Sequence, residues 1–169
     1  MAKSNIVVCD AGPLIHLDEM GCLELLFDFD EVLVPDEVWQ EVNNNRKQAL
    51  DHPELKKTHI NNKTFDVQIN IMIKAFSLDK GESDALTLFK EYPYAIFLTD
   101  DSAARFAATQ LGIKVHGTIG IIIRAIRQNI YSPKKVISIL REIPDKSTLY
   151  IRKGLLDKII EQIKSKFGE

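Results

Sequence analysis

A chain of 169 residues and 19.2 kDa, 45% hydrophobic and 27% charged, has about the length of one domain and enough apolar residues to bury a core. No apolar run reaches the roughly 18 residues of a membrane span, and an acid at position 10 ends the N-terminal apolar stretch too early for a signal peptide. Net charge is −2, which removes any global electrostatic case for a polyanionic partner.

Residues 5–9 (NIVVC) form a short β-branched run and predict a fully buried strand. Gly12-Pro13 and a helix through Leu14, Ile15 and Leu17 follow, then a shorter helix around residues 23–27. EVLVP at 31–35 is a second strand, and Pro35 suits the first turn of a helix carrying Val38, Trp39 and Val42. Trp39 is expected in the core. Residues 43–63 are polar and predict a loop with one weak segment, followed by a helix around 65–77. GESDALTLF (81–89) opens a helix after Gly81, and AIFLT (95–99) is a strand. A helix over 102–112, a strand at 114–116 and an apolar helix at 118–126 come next. Two further helices are expected, from Ser132-Pro133 and over 152–167.

Short apolar strands alternating with helices predict a three-layer α/β/α sandwich on a mainly parallel sheet of four to five strands. One domain over 1–169 is expected, with 130–169 as a C-terminal helical extension. Cys9 and Cys22 fit neither a disulfide framework nor a zinc site, so reduced thiols in the cytoplasm are expected. Residues 120–169 hold 11 Lys/Arg against 5 Asp/Glu, leaving 11 against 19 in residues 1–119. An acidic body and a basic final third suit cations and a polyanion respectively, although Lys and Arg also solvate helices.

Two strands each end in an acid: Asp10 after IVVC and Asp100 after IFLT. In a parallel sheet the carboxyl ends of strands face the ligand crevice. A lone Asp there reads as a helix cap, whereas two such acids at one sheet edge read as a site; Asp101 either caps the helix at Ser102 or adds a ligand. Glu82 shares a helical face with Ala85, Leu86 and Phe89, a core-facing place where a carboxylate is costly unless partnered. Asp84 lies off that stripe and suits the helix dipole instead. Glu41 borders the Val38/Val42 face, with Glu37 one turn earlier. Converging carboxylates repel by about 4 kcal/mol at 4 Å in a dielectric near 20, so such a cluster must take up protons or a cation. All-oxygen ligation points to Mg²⁺ or Mn²⁺, and to metal-assisted phosphodiester hydrolysis.

The order VVCDAGPLIHL, VPDEVWQEV, GESDALTLF and LTDDSAARFAATQLGIKVHGTIG resembles the PIN domain, over roughly residues 5–140. In particular it resembles a small prokaryotic branch with a GE helix, an Asp doublet and a GT-G turn. The resemblance implies a Mg²⁺- or Mn²⁺-dependent ribonuclease with Asp10, Glu41, Glu82 and Asp100 as catalytic acids. Asp10, Glu82, Asp100 and Asp101 would ligate metal, with Asp84 auxiliary. Many relatives are toxins paired with a small antitoxin protein and are homodimeric. The chain departs from the family in having Ala11-Gly12 where a hydroxyl residue often follows the first Asp. It also has SAAR where a further acid is common, a place Asp101 can fill. Thr99 and Thr118 would supply hydroxyls, and Thr118 equally caps its helix. Arg105, Lys114, Arg124 and Arg127 would meet RNA phosphates or solvate helix faces, while His16 and His116 are expected to be structural. The alternatives are a non-catalytic domain acting through a protein partner and an aspartate-based phosphotransfer protein. Against the latter, Gly12 stands where an aspartyl phosphatase needs its second Asp.

Overall fold

The computed structural model describes residues 5–61 and 66–168. Its centre is a five-stranded, wholly parallel sheet in the order β3-β2-β1-β4-β5. The strands are β1 (Ile6–Cys9), β2 (Glu31–Pro35), β3 (Leu55–Thr58), β4 (Ile96–Leu98) and β5 (Lys114–His116). Among the described residues eight helices cover them: α1 (Ala11–Glu19), α2 (Asp36–Arg46), α3 (Val67–Ala75), α4 (Lys80–Leu88), α5 (Ser102–Gln110), α6 (Thr118–Arg127), α7 (Pro133–Lys146) and α8 (Lys153–Phe167). Short 3₁₀ turns occupy Leu23–Leu26 and Lys47–Leu50.

Side chains alternate across a strand, and β1, β4 and β2 beyond Glu31 are apolar at every position, so each feeds both faces. Val7, Cys9, Val32, Val34 and Leu98 enter one core, closed by residues of α1, α2, α6, α7 and α8. Val8, Leu33 and Phe97 enter the other, beneath α3, α4 and α5. This is the expected three-layer α/β/α sandwich. Ile121, Ile122, Ala125 and Ile126 of α6 are core residues, so most of that apolar run is consumed within the chain.

Several expectations need correction. The polar stretch 43–63 contains the tail of α2, a 3₁₀ turn and the edge strand β3; its last residues lie, with residue 65, outside the described ones. β3 was hidden because it reads LKKT: only Leu55 is buried and Lys56 and Lys57 face solvent. α4 starts at Lys80 with Asp79 as its cap, not after Gly81, because Asp79 and Glu82 close a reciprocal capping box. Trp39 is half-buried against the core rather than inside it. Among the described residues no helix is long and apolar enough to cross a membrane.

Candidate active site

After β1 the chain builds outward through β2 to β3, then returns to place β4 on the other flank of β1. That reversal opens a crevice beyond the carboxyl ends of β1 and β4. Asp10 and Asp100 stand there, and the Asp10 amide donates to the Leu98 carbonyl at 2.9 Å, tying the two strand ends together. Asp10 also caps α1: Oδ1 accepts from the Ala11 amide at 2.8 Å. Its Oδ2 accepts from Thr99 Oγ1 at 2.8 Å. Asp10 is only 8% exposed. Burial pushes its carboxyl up to about 6, against the Thr99 and Ala11 hydrogen bonds and with the charges of Asp79 and Glu41 adding to the rise.

Thr99 is fully buried, and its hydroxyl also accepts from the Asp101 amide at 3.2 Å. One side chain therefore sets both the Asp10 carboxylate and the turn into α5. Thr99→Val removes a hydrogen bond to a charged group and is expected to cost about 1.5–3 kcal/mol. It should also raise Asp10 further, since the lost donor favours the ionised form. Chemical denaturation, with the acid limb of any activity profile, measures both.

Asp100 has the opposite environment. Burial alone would raise it, but His16 Nδ1 at 2.7 Å and Thr118 Oγ1 at 2.6 Å contact Oδ2, and the Thr118 amide donates to Oδ1 at 2.8 Å. These contacts hold Asp100 below the ordinary carboxylate range. Thr118 is thus the hydroxyl expected near the site; the cap of α6 is Gly117. Gly117 is required by close approach, because a Cβ there would stand 2.7 Å from both Asp100 Oδ1 and Arg105 Nη1. His16 is no idle core histidine, since it orients Asp100.

The remaining acids enter from α2 and α4. Glu82 lies on the buried stripe with Ala85 and Leu86, as its spacing predicts. The Asp79 amide donates to its Oε2 at 3.0 Å, and its own amide donates to Asp79 Oδ1 at 2.8 Å. Burial raises Glu82 to about 7, with the charges of Asp79, Asp101 and Asp10 adding to it and the Asp79 amide opposing. Glu41 is raised by partial burial and by Asp79 and Glu37. The helices approach across Gly81, where a Cβ would lie 3.5 Å from Asp79 Oδ1 and 3.6 Å from Glu41 Oε2. Asp10, Glu41, Asp79, Glu82 and Asp101 thus share one field. Asp101 caps α5 by accepting from the Ala104 amide at 2.8 Å, while its charge reaches Glu82. Asp84 feels Lys80, Glu37 and Asp36 instead, away from the strand ends.

Asp79 is the acid that pattern reasoning missed. Its signal was present as Asp79-Lys80-Gly81-Glu82, an N-cap with Glu three residues on. Arg124 was misplaced: it pairs with Asp28 at 2.7 Å and lies over the Phe29 ring, so it is committed to the fold. Arg105 does reach the site, with Nη1 3.4 Å from the Thr99 carbonyl. Lys114 and Arg127 are exposed, at the sheet edge and on α6.

The donor set suits a hard divalent cation: it is all carboxylate and hydroxyl oxygen, and two buried carboxylates lack a compensating cation. Among the described residues, however, no three His, Cys, Asp or Glu side chains stand together closely enough to hold one ion. Glu82 leans on Asp79 and Asp100 on His16 and Thr118, so a shared ion requires a side chain to turn from its present partner.

Residues 6–165 match a family described as a PIN domain. The match runs past residue 140, where the sequence motifs stop, and takes in α7 and most of α8. No curated protein matches the chain significantly.

Proposed function

The chain belongs to the PIN-domain family, whose fold is of nuclease type, and from that premise we propose that it is a Mg²⁺- or Mn²⁺-dependent ribonuclease hydrolysing phosphodiester bonds at the crevice between β1 and β4. The observation that carries this is the pair of buried acids held near neutrality, Asp10 at about 6 and Glu82 at about 7, in one field with Glu41, Asp79 and Asp101. Such a field favours a divalent cation over paired protons at neutral pH.

Asp10, Glu82 and Asp100 would hold the metal, with Asp101, Glu41 and Asp79 at its margin. A bound Mg²⁺ or Mn²⁺ supplies there Lewis-acid activation of water and screening of phosphate charge. Thr99 aims the Asp10 carboxylate, and His16 with Thr118 keeps Asp100 ionised. Glu82, raised to about 7 in the metal-free chain, would give up its proton as the cation binds, with Oε2 steadied by the Asp79 amide. Arg105, beside Asp100, offers a cation to the phosphate.

The test is cleavage of single-stranded RNA by the purified chain. Turnover is expected with Mn²⁺ or Mg²⁺ and none in excess chelator; cleavage that persists in chelator overturns the metal-dependent mechanism.

A further inference from the structure

On the α6 side of Asp100 lies a cleft of about 660 Å³. Asp100, Arg105, His116 and Gly117 line its inner end, and Tyr150, Arg152 and Leu155 its outer wall. We propose that this cleft binds single-stranded RNA flanking the cleaved bond, with one base stacked on Tyr150 and phosphates held by Arg105 and Arg152. The proposal rests on the ribonuclease function above and adds the path of the strand and the residues that grip it.

The outer wall is built for this. Residues 148–152 alternate exposed and half-buried: Leu149 and Ile151 turn in against the core, while Tyr150 and Arg152 turn out. Tyr150 is 84% exposed, an aromatic ring left in water at the rim of a cleft. The segment is anchored from α1. Glu19 accepts from Ser147 Oγ and the Thr148 amide, each at 2.7 Å, and from Thr148 Oγ1 at 3.0 Å. One helix therefore carries both His16, which orients Asp100, and Glu19, which seats the wall.

Charge selects the occupant. Asp100 is the only acid in the lining, and neither Arg105 nor Arg152 is in an ion pair among the described residues. His116 is held below its ordinary range by burial first and then by the charges of Arg127, Arg105, Arg124 and Lys114, so cations outnumber acids around it. The cleft of about 400 Å³ on the α2/α4 side is lined instead by Glu37, Glu41 and Asp79, with Lys80 paired to Glu37 at 2.6 Å. A polyanion is repelled there and attracted here. Cations beside a free aromatic ring are the usual means of holding single strands without sequence preference, because every base has a face to stack.

Binding of a fluorescein-labelled oligouridylate, followed by anisotropy in chelator so that neither metal nor turnover contributes, tests the proposal. Tyr150→Ala is expected to weaken binding by about fivefold to a hundredfold, and Tyr150→Phe to retain it. Arg152→Ala should lower the magnitude of the slope of log affinity against log salt by about 0.7. Both side chains are exposed, so circular dichroism should show unchanged folding. Wild-type affinity in both Tyr150→Ala and Arg152→Ala overturns the proposal. Tyr150-dependent binding by a chain that cleaves nothing sustains the cleft and removes the hydrolytic function. Cleavage by a chain whose affinity ignores Tyr150 does the reverse.

Discussion

Asp10→Asn is expected to abolish hydrolysis while making the metal-free protein more stable at neutral pH. The activity loss follows from removing the most buried site acid: several kcal/mol of charge stabilisation corresponds to a thousandfold or more in rate. The stability gain follows from the sign of its shift. The folded-state value, about 6, lies above the ordinary 3.8, so between those pH values the folded chain binds more protons than the unfolded one. Stability is then fully present below about pH 4 and falls as pH rises to about 6. The lost stabilisation is about 3 kcal/mol for Asp10. Glu82 acts in the same direction and carries the decline on to about pH 7. Asp100, held low, acts oppositely: its contribution is lost only as pH falls below the ordinary carboxylate range.

An uncharged Asn removes the Asp10 part of this cost. Its amide needs a partner that a protonated acid does not, so a net gain of about 2 kcal/mol is expected at pH 7.5 in chelator, or about 4–8 °C in melting temperature. At pH 4 the gain should be gone and slightly reversed, by up to about 1 kcal/mol, since wild-type Asp10 is then protonated in the folded chain while the Asn amide still needs its partner. With Mn²⁺ at about a hundred times its dissociation constant, the wild type should gain about 2.7 kcal/mol and overtake the variant. Differential scanning fluorimetry over pH, with and without Mn²⁺, measures every part of this. A variant less stable than wild type in chelator at pH 7.5 would mean that Asp10 is not the strained group described here.

The two halves of the site differ in how far they could be read from residue order. Asp10 and Asp100 were legible because a parallel sheet presents its strand ends to a crevice, and each acid directly follows an apolar run. Glu82 was legible because helical spacing put it among Ala85, Leu86 and Phe89. Asp79 escaped because it precedes its helix and shares no periodic face; only the capping-box spacing marks it. His16 escaped for a different reason. A lone histidine on an apolar helix is ordinarily structural, and nothing local reveals that β4 will bring Asp100 to within 2.7 Å of it. The wall carrying Tyr150 is less legible still, because its place beside Asp100 depends on α7 returning the chain across α1 to meet Glu19. β3 shows the limit for strands: an edge needs only one buried side chain, so LKKT looks like loop until Val32–Pro35 pairs with it.

Gly117→Ala tests whether the seat of Asp100 matters as much as its charge. The backbone at 117, with φ near −105° and ψ near 178°, accepts alanine without strain, so the consequence is purely one of space. A methyl carbon there would meet Arg105 Nη1 and Asp100 Oδ1 at 2.7 Å each. Arg105 can swing aside, because the contact is with the end of an exposed, flexible side chain. Asp100 cannot move without loosening the Thr118 amide at 2.8 Å or His16 at 2.7 Å. Displacing a site carboxylate by about 1 Å is expected to lower turnover about a hundredfold, while overpacking costs about 1–3 kcal/mol in stability. Adding Arg105→Ala relieves one clash and leaves the other, so the double variant should regain none of the turnover. Gly154→Ala, whose Cβ would meet nothing within 4 Å, is the matched control. It should leave turnover intact and, lying in the first turn of α8, raise stability by less than about 0.5 kcal/mol. Undiminished cleavage by Gly117→Ala would show that Asp100 need not sit where His16 and Thr118 hold it.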